Sequence, residues 1–158
     1  MSRFDLPNVC FLDFETKTLP GADPVAGNLK EAGTYRYVKN AFAIILVYAI
    51  GDDRFEAATV DDFENGALEW RYMPARIREH HKRVLRGEAC YAAFNAGFDR
   101  AVWNECTFDF PRLQPEHMID VMAQATASNL APSLEGASRN IGREGKQKDG
   151  KHLIGLFC

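Results

Sequence analysis

Val9-Cys10-Phe11-Leu12-Asp13-Phe14-Glu15-Thr16 is an apolar run that ends in two carboxylates one residue apart. Pro7-Asn8 bounds it upstream and Pro20-Gly21 downstream, so the stretch reads as a β-strand over residues 9–16. Side chains alternate across a strand, which puts Phe11, Asp13 and Glu15 on one face and Cys10, Leu12 and Phe14 on the other. Two acids on one face of an otherwise buried strand call for cations, because unpaired buried charge is costly. Hard oxygen donors at adjacent same-face positions suit Mg²⁺ or Mn²⁺, which take carboxylates and water in preference to thiolates. Taken alone, the stretch also fits a strand end running into solvent with both acids hydrated.

A second cluster, Phe94-Asn95-Ala96-Gly97-Phe98-Asp99, follows another short apolar strand over residues 90–95. Ala96-Gly97 turns the chain into a helical stretch over residues 98–106. Asp99 then falls in the first helical turn, where the helix dipole favours a carboxylate. An ordinary helix-start acid and a turn asparagine would look the same. The order is what those readings leave unexplained: a strand-end D-x-E, then a strand, then N-A-G-F-D and a helix.

In that order the chain resembles the exonuclease domain of bacteriophage-type family A DNA polymerases, within the DEDD, ribonuclease-H-like 3′–5′ exonuclease superfamily. Phe11-Leu12-Asp13-Phe14-Glu15-Thr16 resembles the first motif of that family and Asn95-Ala96-Gly97-Phe98-Asp99-Arg100 the second. Gly33-Thr34-Tyr35-Arg36-Tyr37, the strand-like residues 43–50, Met118-Ile119-Asp120, Leu130-Ala131-Pro132-Ser133-Leu134-Glu135 and residues 148–158 follow the family's order, so the resemblance covers nearly the whole chain. It implies an α/β, ribonuclease-H-like mixed sheet, antiparallel strands first, flanked by helices and C-terminally incomplete. Residues 1–158 form a single exonuclease-like domain in this reading. The implied activity is metal-dependent, proofreading-type hydrolysis at the 3′ end of single-stranded DNA during DNA replication.

The resemblance also assigns roles. Two Mg²⁺ or Mn²⁺ ions sit on Asp13, Glu15 and Asp99, whose carboxylates lie close together. Asp13 bridges both ions, Glu15 holds the ion that carries the attacking water, and Asp99 holds the second. Phe14, Thr16, Asn95 and Phe98 are the substrate-binding candidates, with Phe14, Phe98 and Trp103 able to stack on terminal bases. Core packing is the competing reading, and for Phe14 and Trp103 the better one. The third motif, a Tyr or His shortly before an Asp on a late helix, is absent. His117-Met118-Ile119-Asp120 has too short a spacing, so Asp120 reads as a helix cap and His117 as a partly exposed loop residue. No general base is therefore assigned. The polymerase portion or a separately encoded C-terminal piece is the expected partner. Two other functions stay open: a catalytically incompetent nucleic-acid-binding or polymerase-docking module, and an RNA-directed exonuclease of the same superfamily.

Composition sets outer bounds. With 158 residues, 46% of them hydrophobic, the chain has enough apolar side chain for one real core. A net charge of −3 provides no global attraction to nucleic acid, leaving local basic patches and metal-bridged phosphates to do so. Cys10, Cys90, Cys106 and Cys158 lack C-x-x-C spacing, which indicates no zinc site or disulfide framework and fits a reducing cytoplasm; the resemblance implies that this is the cytoplasm of a phage host. No apolar run is long enough to span a membrane, and the N-terminus does not read as a signal peptide.

Further strands are expected over residues 43–50 and 54–60, joined by a Gly51-Asp52-Asp53 turn. Residues 74–86 read as an amphipathic helix, with Ile77, Val84 and Leu85 inward and Arg76, Lys82 and Arg83 outward. Arg76, Arg78, Lys82, Arg83 and Arg86 read as a solvated face in preference to a phosphate cradle. Helices are expected over residues 119–128 and 133–141, and the polar, basic residues 142–150 read as mobile.

Overall fold

The computed structural model describes residues 5–59, 68–69, 73–108 and 110–143. The expectation for residue 60 and those for residues 144–158 lie outside them. The architecture is α/β, a five-stranded mixed sheet flanked by helices. In chain order the elements are β1 (Val9–Thr18), α1 (Leu29–Val38), β2 (Ala41–Ile50), β3 (Glu56–Thr59), β4 (Leu68–Glu69) and α2 (Ala75–Leu85). Then come β5 (Cys90–Ala93), α3 (Ala96–Glu105), β6 (Thr107–Phe108), β7 (Met118–Asp120), α4 (Val121–Ala127) and α5 (Leu134–Asn140).

The sheet order is β3-β2-β1-β5-β7, with β4 and β6 forming a separate parallel pair. β1, β2 and β3 pair antiparallel, whereas β5 runs parallel to β1 and β7 parallel to β5. The β2–β3 hairpin turns at Gly51, whose φ of 62° only glycine adopts without strain. A Cβ there would also sit 3.2 Å from Pro7 Cα.

One face of the sheet is the main core. Cys10, Leu12 and Phe14 of β1 join Leu46, Tyr48 and Tyr91 from the neighbouring strands. Tyr37 and Val38 of α1, Ile77 and Val84 of α2, and Val102 and Trp103 of α3 cover them. Burying each large apolar side chain contributes about 1.5–3 kcal/mol, so this cluster dominates folding. On the opposite face a smaller cluster of Val9, Cys90 and Ala92 packs with Phe11, Ile119 and Val121. The alternation expected along β1 therefore holds: the Cys10, Leu12 and Phe14 side is buried, Asp13 is exposed and Glu15 is half-buried.

Several boundaries differ for identifiable reasons. β5 ends at Ala93 and α3 starts at Ala96, because the Asn95 carbonyl already accepts the first helical N–H groups, those of Phe98 (2.9 Å) and Asp99 (3.2 Å). The helix expected over residues 119–128 is a short strand followed by a shorter helix. Met118–Asp120 pair with Tyr91–Ala93, and only the Asp120 cap starts the helix. Leu85 is 57% exposed, not inward. The inward positions of α2 are Ile77, His80, His81 and Val84, spaced as a helix face requires. The basic side of α2 is matched by carboxylates and amides. Arg76 pairs with Asp53 and with Glu56 (2.7 Å), Lys82 with Glu79 (2.5 Å), Arg86 with Glu88 (2.8 Å), and Arg83 donates to Asn8. Cys10, Cys90 and Cys106 are buried free thiols, and burial first of all pushes Cys10 and Cys106 up to about 12.

Candidate functional site

The site grows from a mismatch in strand length. β5 stays beside β1 only along Val9–Phe11, and beyond Ala93 its chain turns away into α3. Phe14 pairs with Leu46 of β2 on one side, so its N–H on the other side has lost the ladder partner that a longer β5 would supply. Asp99, in the first turn of α3, takes that place: its Oδ1 accepts from Phe14 N–H at 3.1 Å. Phe14 is the residue between Asp13 and Glu15, so the Asp99 carboxylate meets β1 between the two acids. The β1–β2 register shifts between Glu15 and Thr16, where Glu15 faces Ile45 but Thr16 faces Ala43. Such a bulge sharpens local twist and re-aims side chains, as is common beside functional sites.

Electrostatics ties the acids together. Asp99 is 2% exposed, and burial pushes its carboxyl up to about 7. The neighbouring Asp13 carboxylate raises it further, and Asp120 adds a smaller push in the same direction. The Phe14 N–H and Asp99's own N–H work against them by holding the charged form. Asp120 ends β7, in register with Ala93 at the end of β5. Its side chain accepts from Ala123 N–H at 2.9 Å, the helix-capping role expected for it. Asp13, Glu15 and Asp120 thus lie toward the carboxyl ends of parallel strands, with Asp99 just past the end of β5. In open α/β sheets ligands bind in that region.

The other expected site residues are distributed unevenly. Thr16 shares a 2.8 Å hydrogen bond with the Tyr37 hydroxyl, and the Phe98 ring lies 6.2 Å from the Tyr37 ring. Asn95 is exposed at the start of α3, and its side chain makes no capping hydrogen bond. The Phe14 ring, by contrast, is 4% exposed and edge-on to Trp103 at 6.2 Å. It belongs to the core, and what Phe14 brings to the site is its backbone N–H. Trp103 is core as well. His117 is half-buried in a 3-10 turn and accepts from Gln114 N–H through Nδ1 at 3.1 Å.

Two groups escaped sequence reasoning. Tyr37 links to both motifs, and the only signal for it was its place in the G-x-Y-x-Y stretch. His80 and His81 are buried on the inward face of α2, and their spacing from Ile77 and Val84 marked them as inward. His80 Nε2 lies 2.9 Å from the Cys90 carbonyl, and His81 Nδ1 lies 3.2 Å from the Tyr91 hydroxyl.

Among the described residues no three His, Cys, Asp or Glu side chains are grouped tightly enough to hold a metal ion. The donor chemistry still fits Mg²⁺ or Mn²⁺, since the Asp13, Glu15 and Asp99 carboxylates offer only oxygen. The upward shift of Asp99 comes first from burial and then from the Asp13 carboxylate, and a divalent cation at the site would offset both by favouring the charged form. Compared with protein-family models and with curated proteins, the chain matches none.

Proposed function

We propose that the chain is a metal-dependent 3′–5′ exonuclease domain with a ribonuclease-H-like fold, acting on the 3′ end of single-stranded DNA as the proofreading part of a polymerase. One observation carries the reading: the buried Asp99 carboxylate is held on the Phe14 N–H, between Asp13 and Glu15. The strand order β3-β2-β1-β5-β7, with three antiparallel strands followed by two parallel ones, supports the fold. The sequence order of the two motifs supports the family.

In this reading Asp13, Glu15 and Asp99 would hold the ions, whose chemistry when bound would be to polarise a water and to offset charge on the leaving oxygen. The chain's own residues do the positioning. The Phe14 N–H favours the charged form of Asp99 against burial, the bulge aims Glu15, and Thr16 and Phe98 border the space where a terminal nucleotide would lie. Asp120 is a further acid whose charge acts weakly on Asp99. Its carboxylate is engaged by the α4 cap, so a strong general base has to come from a third motif beyond Asp99.

The test is a single-turnover assay on a 5′-labelled oligonucleotide. It compares the 158-residue chain with a version extended through a third motif, using Asp13→Ala as the control. The short chain should cleave from the 3′ end about 10²–10⁴-fold more slowly, the usual cost of a missing general base. Equal behaviour of wild type and Asp13→Ala in both versions would favour a binding or docking module instead.

A further inference from the structure

We propose that Tyr37 is a positioning residue that locks the two acid-bearing segments against each other. Thr16, which follows Glu15, shares a hydrogen bond with its hydroxyl at 2.8 Å, and Phe98, which precedes Asp99, packs on its ring at 6.2 Å. This inference rests on the exonuclease reading, because it concerns the placing of Glu15 and Asp99 for metal.

The geometry behind it is local and unusual. Tyr37 is 8% exposed, and its hydroxyl is engaged in a part-buried hydrogen bond within the protein. The partner is a single side-chain hydroxyl on β1, at the register shift that separates Glu15 from Thr16. At a bulge the ladder holds the strand less firmly, and a side-chain tie there fixes what the ladder leaves loose. The ring of the same residue reaches α3 one position before the carboxylate that caps the Phe14 N–H. Asp99 and Glu15 are therefore connected twice: directly through the Phe14 backbone, and again around the far side through Tyr37.

Gly33 makes the second connection reachable. It interrupts α1 with φ 70°, ψ 163°, so the last turn of the helix departs from the axis of the first. A Cβ on Gly33 would meet nothing within 4 Å, so the position needs glycine for its backbone angle alone. Two ions about 4 Å apart need their ligands placed to a fraction of that distance, and a misplacement of about 1 Å is expensive. A tie of this kind acts on metal affinity and on turnover more than on strand binding.

The experiment measures Mn²⁺ binding to the 158-residue chain by electron paramagnetic resonance, with amide hydrogen exchange on the same samples. The proteins are wild type, Tyr37→Phe, Thr16→Val, the double variant, Thr16→Ser and Asp13→Ala. Tyr37→Phe keeps the ring on Phe98 and removes only the hydroxyl. The expected result is a Mn²⁺ affinity about tenfold weaker in Tyr37→Phe and in Thr16→Val, the usual scale for one lost buried hydrogen bond. The double variant should be no weaker than either single one, because both remove the same bond. Thr16→Ser should bind like wild type. Exchange should quicken around Glu15 and Thr16 in the two single variants and stay unchanged in α2. A merely structural role would lower the melting temperature and leave Mn²⁺ affinity untouched, and that outcome overturns the proposal. So do additive losses in the double variant. Wild type and Asp13→Ala binding Mn²⁺ equally poorly would overturn the exonuclease reading and this proposal with it. Wild-type binding that Asp13→Ala abolishes and Tyr37→Phe preserves would overturn the tie alone.

Discussion

One turn of α3 separates two buried titratable environments that the protein treats differently. Asp99, at the start of the helix, is pushed up to about 7 by burial and by the Asp13 carboxylate. His81, stacked on Trp103 one turn further along, is pushed down to about 4, chiefly by burial. Both shifts favour the neutral form, but the surroundings differ. His81 is 1% exposed and sits among Tyr91 and Trp103, where losing its proton leaves a neutral ring in a close-packed aromatic cluster. Asp99 faces other acids and is kept partly charged by two backbone N–H groups. The aromatic region is built for stability. The acidic region keeps a carboxyl buried and beside a like charge, and a group perturbed in that way by burial and a specific charge partner marks a candidate binding site.

The largest effect is expected from breaking the aromatic side. Trp103 contacts Phe14, His81, Tyr91 and Phe110, and its Nε1 donates to the Pro111 carbonyl at 2.8 Å. Trp103→Ala should cost about 3–5 kcal/mol in urea unfolding, as for other aromatic truncations in cores.

Asp99→Asn should move stability the other way. Asp99 binds its proton more tightly folded than unfolded, so stability falls as pH rises from about 4 to about 7 and is flat above. Removing the charge should therefore stabilise the protein at pH 8, by up to about 4 kcal/mol. The same change should abolish any stabilisation by Mg²⁺. A destabilised Asp99→Asn at pH 8 would show that the buried charge is not costly there.

His81 gives the opposite slope over nearly the same range. Its folded form resists protonation, so its contribution is intact above about 6.5 and is lost as pH falls toward about 4. The loss is about 3 kcal/mol, and His81→Gln should remove that slope while leaving the Asp99 slope in place. Unfolding curves of the two variants against pH separate the contributions, which partly cancel in the wild type.

Asp120 gives the smallest and most specific effect. Asp120→Ala should cost about 1 kcal/mol through the lost α4 cap. Asp120→Asn should keep the cap and lower the Asp99 titration midpoint slightly, read by carboxyl carbon NMR, because a like charge has gone.

The sequence by itself determined the strand alternation of β1, since the two-residue period of a strand leaves no other way to arrange Cys10, Leu12 and Phe14 against Asp13 and Glu15. It also determined Asp99 at a helix start and Asp120 as a cap, because both depend on contacts a few residues away. Tertiary structure decided what spans long separations. Nothing local shows that β5 stops short of Phe14, so that the Phe14 N–H is left for Asp99, 85 residues away in sequence. Nor is β7 legible alone: Met118–Asp120 is three residues long and becomes a strand only because Tyr91–Ala93 lies alongside. The tie from Tyr37 to Thr16 and Phe98 was equally hidden, since it depends on how α1 and α3 meet over the sheet. Local patterns set which face each side chain takes, and packing between distant segments set which of those side chains meet.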